Sequence, residues 1–226
     1  IWNRRPGEAV AVGFCALFSN TVLLGIPIMQ RAYGPEAMAP VFGIISLHAG
    51  TMYALGMISM ELARADGRPL METLKTATKS ILSNSLMIGV ITGLLFNLSG
   101  LALPEIISAP VDMMASAAIP VALIGLGAAL TRYKIKSDFS EALVISFLSL
   151  VIHPVIALFI THYYFQLPIE LVRPAVIIAA MPPGMNVYIF AVLFNRAVSL
   201  SASLIVIATI LSIFTISTWI WILGHL

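Results

Sequence analysis

The chain has 226 residues, 60% of them hydrophobic and 10% charged, with a net charge of +2 and a mean hydropathy of +1.02. A soluble globular domain is about 45–50% apolar and about 25% charged, so this surface cannot be covered by a water-facing shell and lipid must act as its solvent. The small net charge gives no footing for a nucleic-acid partner, and the single Cys15 excludes an intrachain disulfide framework.

The first residue is Ile and no signal-peptide pattern precedes the first apolar run, so a segment is expected to be missing at the N-terminus. Crossing the hydrocarbon core takes about 20 helical residues at about 1.5 Å each. Seven apolar runs meet that length: 8–30, 37–62, 80–98, 105–130, 139–165, 171–195 and 198–223. They are designated spans A to G. The joints are short. The longest, 63–79, reads as a cytoplasmic interfacial loop. Cys15, within span A, reads as a small packed residue. His162, Tyr163 and Tyr164 read as an outer aromatic belt, and Trp219 and Trp221 as the matching belt on span G.

Alternating the seven spans places Arg4, Arg5, Arg64, Arg68, Lys75, Lys79, Arg132, Lys134, Lys136 and Arg196 on one side. Only Arg31 and Arg173 fall on the other, ten of the twelve basic residues against two. The positive-inside rule then makes the visible N-terminus cytoplasmic and the C-terminus external, in a plasma membrane such as the bacterial inner membrane.

Two spans carry helix breakers. Span A holds Asn20, Gly25 and Pro27; span F holds Pro182, Pro183, Gly184 and Asn186. Proline removes a backbone donor and clashes with the preceding turn, and glycine weakens the helix further. In hydrocarbon the freed backbone groups need partners, so such breaks persist only inside protein or beside a wet cavity. A single such span reads as a simple kink. Two point to function because their surroundings repeat: each is followed by one closing helix, and A and F run in opposite directions, as an inverted repeat requires. Spans C, D and E precede F, so three further spans are expected before A. The intact protein is then expected to have ten spans in two five-span halves: 1–62 ends the first repeat, 63–79 links, and 80–226 is the second.

At FSNTVLLGIPI (18–28), AAIPVALIGLGAAL (117–130) and AAMPPGMNVYIFAVLF (179–194) the chain resembles the auxin efflux carrier family, bacterial malonate and organic-anion permeases among its members. The resemblance covers nearly the whole chain. It implies an all-α membrane fold of inverted five-helix repeats, with the fourth and ninth helices broken and crossing at the midplane. Spans A and F match those two. It implies elevator-type alternating access by a transport domain against a scaffold, and a possible homodimer; Gly125 and Gly127 of span D read either as close packing within the bundle or, by the resemblance, as part of the dimer-facing scaffold. Where plant carriers have a proline in the ninth-helix motif this chain has Val187, and its central loop is short, as in the bacterial members.

The expected substrate site is Asn20, Thr21, Gly25, Pro27, Pro182, Pro183, Gly184 and Asn186. The bland alternative is that Asn20 and Asn186 cap half-helices and that Thr21 bonds into its own helix. Asp112 is a coupling candidate as an acid within a span, or a first-turn residue after Pro110. His48 and His153 are candidates for proton relay, against simple backbone bonding. No cofactor is expected beyond a coupling proton or sodium ion.

The leading function is a secondary transporter of small organic anions, mono- or dicarboxylates such as malonate or auxin-like acids. The alternatives are a non-transporting sensor or a truncated remnant. An intramembrane enzyme lacks its signatures, with no GxSG, HExxH or paired intramembrane acids, and ATP-driven transport lacks a GxxxxGK[ST] loop.

Overall fold

A computed structural model of the protein describes residues 4–64, 71, 72, 75, 79, 83, 85–130 and 139–226. The expected linker positions 65–70 and the basic 131–138, including Gly67 and Arg132, lie outside the described residues. The described chain is helical, with no strand beyond one isolated bridge. Ten α-helices are described: α1 (Pro6–Leu17), α2 (Ile26–Tyr33), α3 (Met38–Ala63), α4 (Ser85–Ser99), α5 (Glu105–Leu130), α6 (Phe139–Phe147), α7 (His153–Leu158), α8 (Ile169–Ala179), α9 (Met185–Phe194) and α10 (Val198–Gly224). Among the described residues, three helical runs are long and apolar enough to cross a membrane: Pro35–Ala63, Phe139–Tyr164 and Val198–Gly224.

The chain forms two compact units, Ile1–Ile45 with Arg132–Leu226, and Ser46–Thr131. The first has a dense apolar core. Met29 of α2, Val41 of α3, Val172, Val176, Ile177 and Ile178 of α8, and Ile216, Trp219 and Leu223 of α10 are buried together. The second consists of most of α3 with α4 and α5. Its helices keep large apolar side chains such as Leu98, Ile106, Met113 and Ile124 exposed. Apolar surface on that scale needs lipid or protein against it.

Span E shows how prolines are absorbed in the first unit. Phe139–Tyr164 is one helical run carrying two π-turns, Leu148–Ile152 and Phe159–Tyr164. Pro154 has no N–H to give to Leu150, four residues earlier. The Trp219 indole N–H donates to that carbonyl instead, at 3.0 Å. Trp219 is therefore a buried core residue rather than part of an aromatic belt, whereas Trp221 is exposed. At the other end of the run, Arg4 donates from Nε to Glu141 Oε1 at 2.9 Å and from Nη2 to the second carboxylate oxygen. This two-pronged pair ties the start of the chain to the first turn of α6, with Glu141 buried.

Candidate functional site

Spans A and F are each broken, and the breaks meet. In span A, α1 ends at Leu17 and residues 18–20 are not helical. Asn20 has φ −77° and ψ 64°, the geometry of an inverse γ-turn. The turn is closed by the Thr21 N–H donating to the Ser19 carbonyl at 2.8 Å. A π-turn, Thr21–Gly25, follows and runs into α2. Its hinge is the Asn20 carbonyl, which accepts from Leu24 N–H at 3.4 Å and from Gly25 N–H at 3.1 Å. In span F, α8 ends at Ala179 and α9 starts at Met185, with Pro182, Pro183 and Gly184 between them. The span A break thus lies at the Asn20 end of the Asn20–Pro27 stretch that carries the helix breakers, upstream of Gly25 and Pro27. The extra residue of the π-turn accommodates Pro27 inside a continuing helix. The span F prolines sit in the link itself, not in the first turn of the second half-helix.

One backbone bridge joins the two links: Ser19 pairs antiparallel with Pro183, and Asn20 N–H donates to the Pro182 carbonyl at 2.8 Å. The approach is close because residue 184 is glycine. A Cβ there would sit 2.9 Å from Asn20 Cγ and 3.1 Å from its Cβ and Oδ1. Gly184 is extended, with φ −96°, so space rather than backbone conformation demands glycine. A Cβ on Gly25 would lie 2.7 Å from Ile178 Cδ1 and 3.6 Å from Met181 Cγ.

The half-helices pack crosswise. α1 leans on α9 through Phe14 and Phe190, stacked with centroids 4.1 Å apart at 18°. Phe18 and Phe194 extend the ladder at 5.1 Å and 4.9 Å. The Thr21–Gly25 turn and α2 lean on α8 through Gly25, Ile178 and Met29. Two helix N-termini and two C-termini therefore converge. The C-terminal carbonyls are met locally: Phe18 N–H donates to Phe14, and Ala180 N–H to Val176 and Ile177. Neither N-terminus has a side-chain cap, so their first N–H groups carry a partial positive charge toward the crossing.

Asn20 is 6% exposed, and its Nδ2 is buried without a hydrogen-bond partner among the described residues. So is the Oγ of Ser19, a residue the sequence reading passed over although it adjoins Asn20. Thr21, Gly25, Pro182, Pro183 and Gly184 are buried, and Asn186, in the first turn of α9, is half-buried. Pro27 is exposed on α2.

The chain matches the membrane transport protein family, that of the auxin efflux carriers, over residues 1–220. It belongs to that family. It is 25% identical to an uncharacterized transporter of Methanothermobacter thermautotrophicus, with 97% of this chain and 71% of the relative covered. It is 24% identical to a protein of Rhizobium meliloti named “Putative malonate transporter”, with 96% of this chain and 68% of the relative covered. A transporter of Methanocaldococcus jannaschii is 22% identical, with 92% and 66% covered. The chain spans about two thirds of the length of these relatives. As a member of this family it is an integral membrane transport protein rather than an enzyme.

Other candidates in this membrane transport protein fall elsewhere. His153 of the first unit precedes Pro154, and its Nδ1 is buried without a partner among the described residues. His48 and Asp112 belong to the second unit. Asp112 is exposed in the third turn of α5, which starts at Glu105 and runs through Pro110 and Pro120, so it is not a first-turn residue. The buried acid of α3 is Glu61, 5% exposed. Its place at the end of an apolar span was visible in the sequence, but the charged 63–79 segment beside it masked the signal.

Proposed function

We propose that the protein is a secondary transporter of small organic anions and that it binds their carboxylate where spans A and F cross. The observation that carries this reading is Asn20. Leaving a buried donor unpaired costs about 1–3 kcal/mol, and this one sits beside two uncapped helix N-termini. A carboxylate would accept from the Asn20 amide, the Ser19 hydroxyl and the first N–H groups of α9, with Asn186 and Thr21 as further donors. No Lys or Arg is required at that depth, where either would be costly. Gly25, Pro182, Pro183 and Gly184 hold the two links together, while Pro27, on the exposed face of α2, shapes the helix rather than lining the site.

The malonate named for the Rhizobium meliloti relative makes mono- and dicarboxylates the first substrates to test. In this proposal the packed unit that carries the crossing moves and the Ser46–Thr131 unit serves as the scaffold, in elevator fashion. A proton or sodium ion drives the cycle, with His153, His48 and Asp112 as the proposed titrating or coordinating groups.

The test is Asn20→Asp against Asn20→Ala in the intact protein, measured as uptake of labelled malonate and other small acids into proteoliposomes. For an anion site, Asp adds repulsion to the lost donor. Its effect must therefore exceed that of Ala, which is expected to weaken substrate affinity by about 1–3 kcal/mol. Equal or improved uptake by Asn20→Asp would refute anion binding at the crossing.

A further inference from the structure

A cavity with several polar residues in its wall lies in the same unit, at the end of α2 away from the break. It has a volume of about 300 Å³ and is lined by Tyr33, Glu36, Pro40, Glu170, Arg173 and Pro174, among others. Arg173 is half-buried in the first turns of α8, next to the buried Val172, Val176 and Leu223. Its Nε donates to the Leu223 carbonyl near the end of α10 at 3.3 Å, and its guanidinium carbon lies 5.4 Å from the centre of the Tyr33 ring. The Leu223 bond alone would make Arg173 a structural tie to the end of α10. Two observations go beyond that role. No described carboxylate forms an ion pair with Arg173. The Tyr33 hydroxyl is buried and has no hydrogen-bond partner among the described residues.

A half-buried guanidinium and an unpaired phenol on one cavity are two donors in need of an acceptor. A buried cation is stabilised by a paired, hydrogen-bonded anion, and guanidinium is the side chain best shaped for a carboxylate. Burial pushes the Tyr33 hydroxyl up from its ordinary pKa, with the Arg173 charge opposing, and a neutral phenol can donate. Glu36 and Glu170 are exposed. Water screens their repulsion of an anion, and because that repulsion grows with ligand charge they favour a singly charged acid over a doubly charged one.

We propose that Tyr33 and Arg173 form a second binding site, separate from the crossing, that takes the carboxylate of a small monocarboxylic acid. From Arg173 to the end of α8 at Ala179 is about 9 Å along the helix axis. An acid held there would be staged within one short step of the crossing. This staging role rests on the proposed crossing site, but the binding itself does not.

The test is residue-specific. The intact protein in phosphatidylcholine nanodiscs is treated with phenylglyoxal, and the adduct on Arg173 is quantified by mass spectrometry with increasing propionate or matched chloride. Propionate is expected to protect Arg173 and chloride is not. Tyr33→Phe should raise the protecting concentration roughly tenfold or more, as for a lost hydrogen bond to a charged group. Asn20→Ala should leave it unchanged even where it abolishes uptake, so the two sites can fail separately. A second measurement covers slow reagent access: propionate should raise the unfolding temperature of the wild type, and Arg173→Gln should remove the part of that rise which Asn20→Ala leaves. Three results would overturn the proposal. These are equal protection by chloride, an unaltered propionate response in both Tyr33→Phe and Arg173→Gln, and protection by phosphatidylglycerol discs that propionate cannot displace. The last would assign the cavity to a lipid headgroup.

Discussion

The two broken spans solve one problem by opposite means. In span F the break is made of residues that cannot continue a helix: Pro182 and Pro183 lack donors, and Gly184 has no side chain to collide with Asn20. In span A the break at 18–20 contains no proline and no glycine. It is held by the inverse γ-turn at Asn20, by the bond from Asn20 N–H to the Pro182 carbonyl, and by the π-turn that follows. Span F is broken by its own chemistry. Span A is broken by contact with span F, so removing that contact should damage A more than F.

The largest effect is expected from Phe190→Ala. It deletes the ring stacked on Phe14 and leaves a cavity between α1 and α9, which should cost about 3–5 kcal/mol of stability. The comparison predicts that the loosening reaches residues 18–20 first. Hydrogen exchange should therefore rise at Asn20 and Thr21 more than at Ala180 and Met181, and equal loosening of both links would break it.

Glycine replacements sharpen the same contrast. Gly184→Ala pushes a methyl group to within 2.9 Å of Asn20 Cγ, where Asn20 Cβ and Oδ1 are also close and the Cβ cannot swing away. An overpacking cost of about 1–3 kcal/mol is expected, with uptake falling at least in proportion. At Gly25 the nearest obstacle is Ile178 Cδ1, the tip of a flexible side chain that can turn away, so Gly25→Ala should cost less than Gly184→Ala. The reverse order, measured by thermal unfolding and uptake, would mean that Asn20 yields more easily than the core around Ile178.

The two amides should differ as well. Asn20 is buried with an unpaired Nδ2 and Asn186 is half-buried. Asn20→Ala is expected to weaken substrate affinity by about 1–3 kcal/mol, and Asn186→Ala by less, since water can replace its bond. Saturation kinetics in proteoliposomes would test this, and a larger loss for Asn186 would place the substrate on the α9 side.

Much of the fold was legible because hydrocarbon imposes few choices: apolar runs of spanning length, breakers within two of them, and family motifs at 18–28 and 179–194. The meeting of Asn20 with Gly184 followed from treating both breaks as parts of one site. What was not legible is the detail that depends on partners distant in sequence. Trp219 reads as an interfacial aromatic until Pro154 is known to leave the Leu150 carbonyl needing a donor. The burial of Glu141 in the first turn of α6 depends on Arg4, far away in sequence. Tyr33 and Arg173 are 140 positions apart, and neither belongs to a motif.

The same dependence on partners sets the role of Pro27, in the first turn of α2. A proline in an apolar span signals a break, yet the chain remains helical on both sides of it, in the Thr21–Gly25 turn and in α2. The Asn20 carbonyl accepting from both Leu24 and Gly25 widens the preceding turn, which relieves the clash of the proline ring with that turn. Pro27 is exposed and makes no part of the Ser19–Pro183 bridge. Pro27→Ala should therefore have the smallest effect of the set, within about 1 kcal/mol in stability, a typical range for a surface-exposed substitution. Uptake should remain within roughly fivefold even if that whole change fell on the transport barrier, since about 1.4 kcal/mol is tenfold. The restored N–H could still tighten the π-turn to an α-turn and swing Asn20 away from Pro182. In that case uptake would fall while stability rose. That result would show that the proline itself, and not the contact with span F, holds span A open.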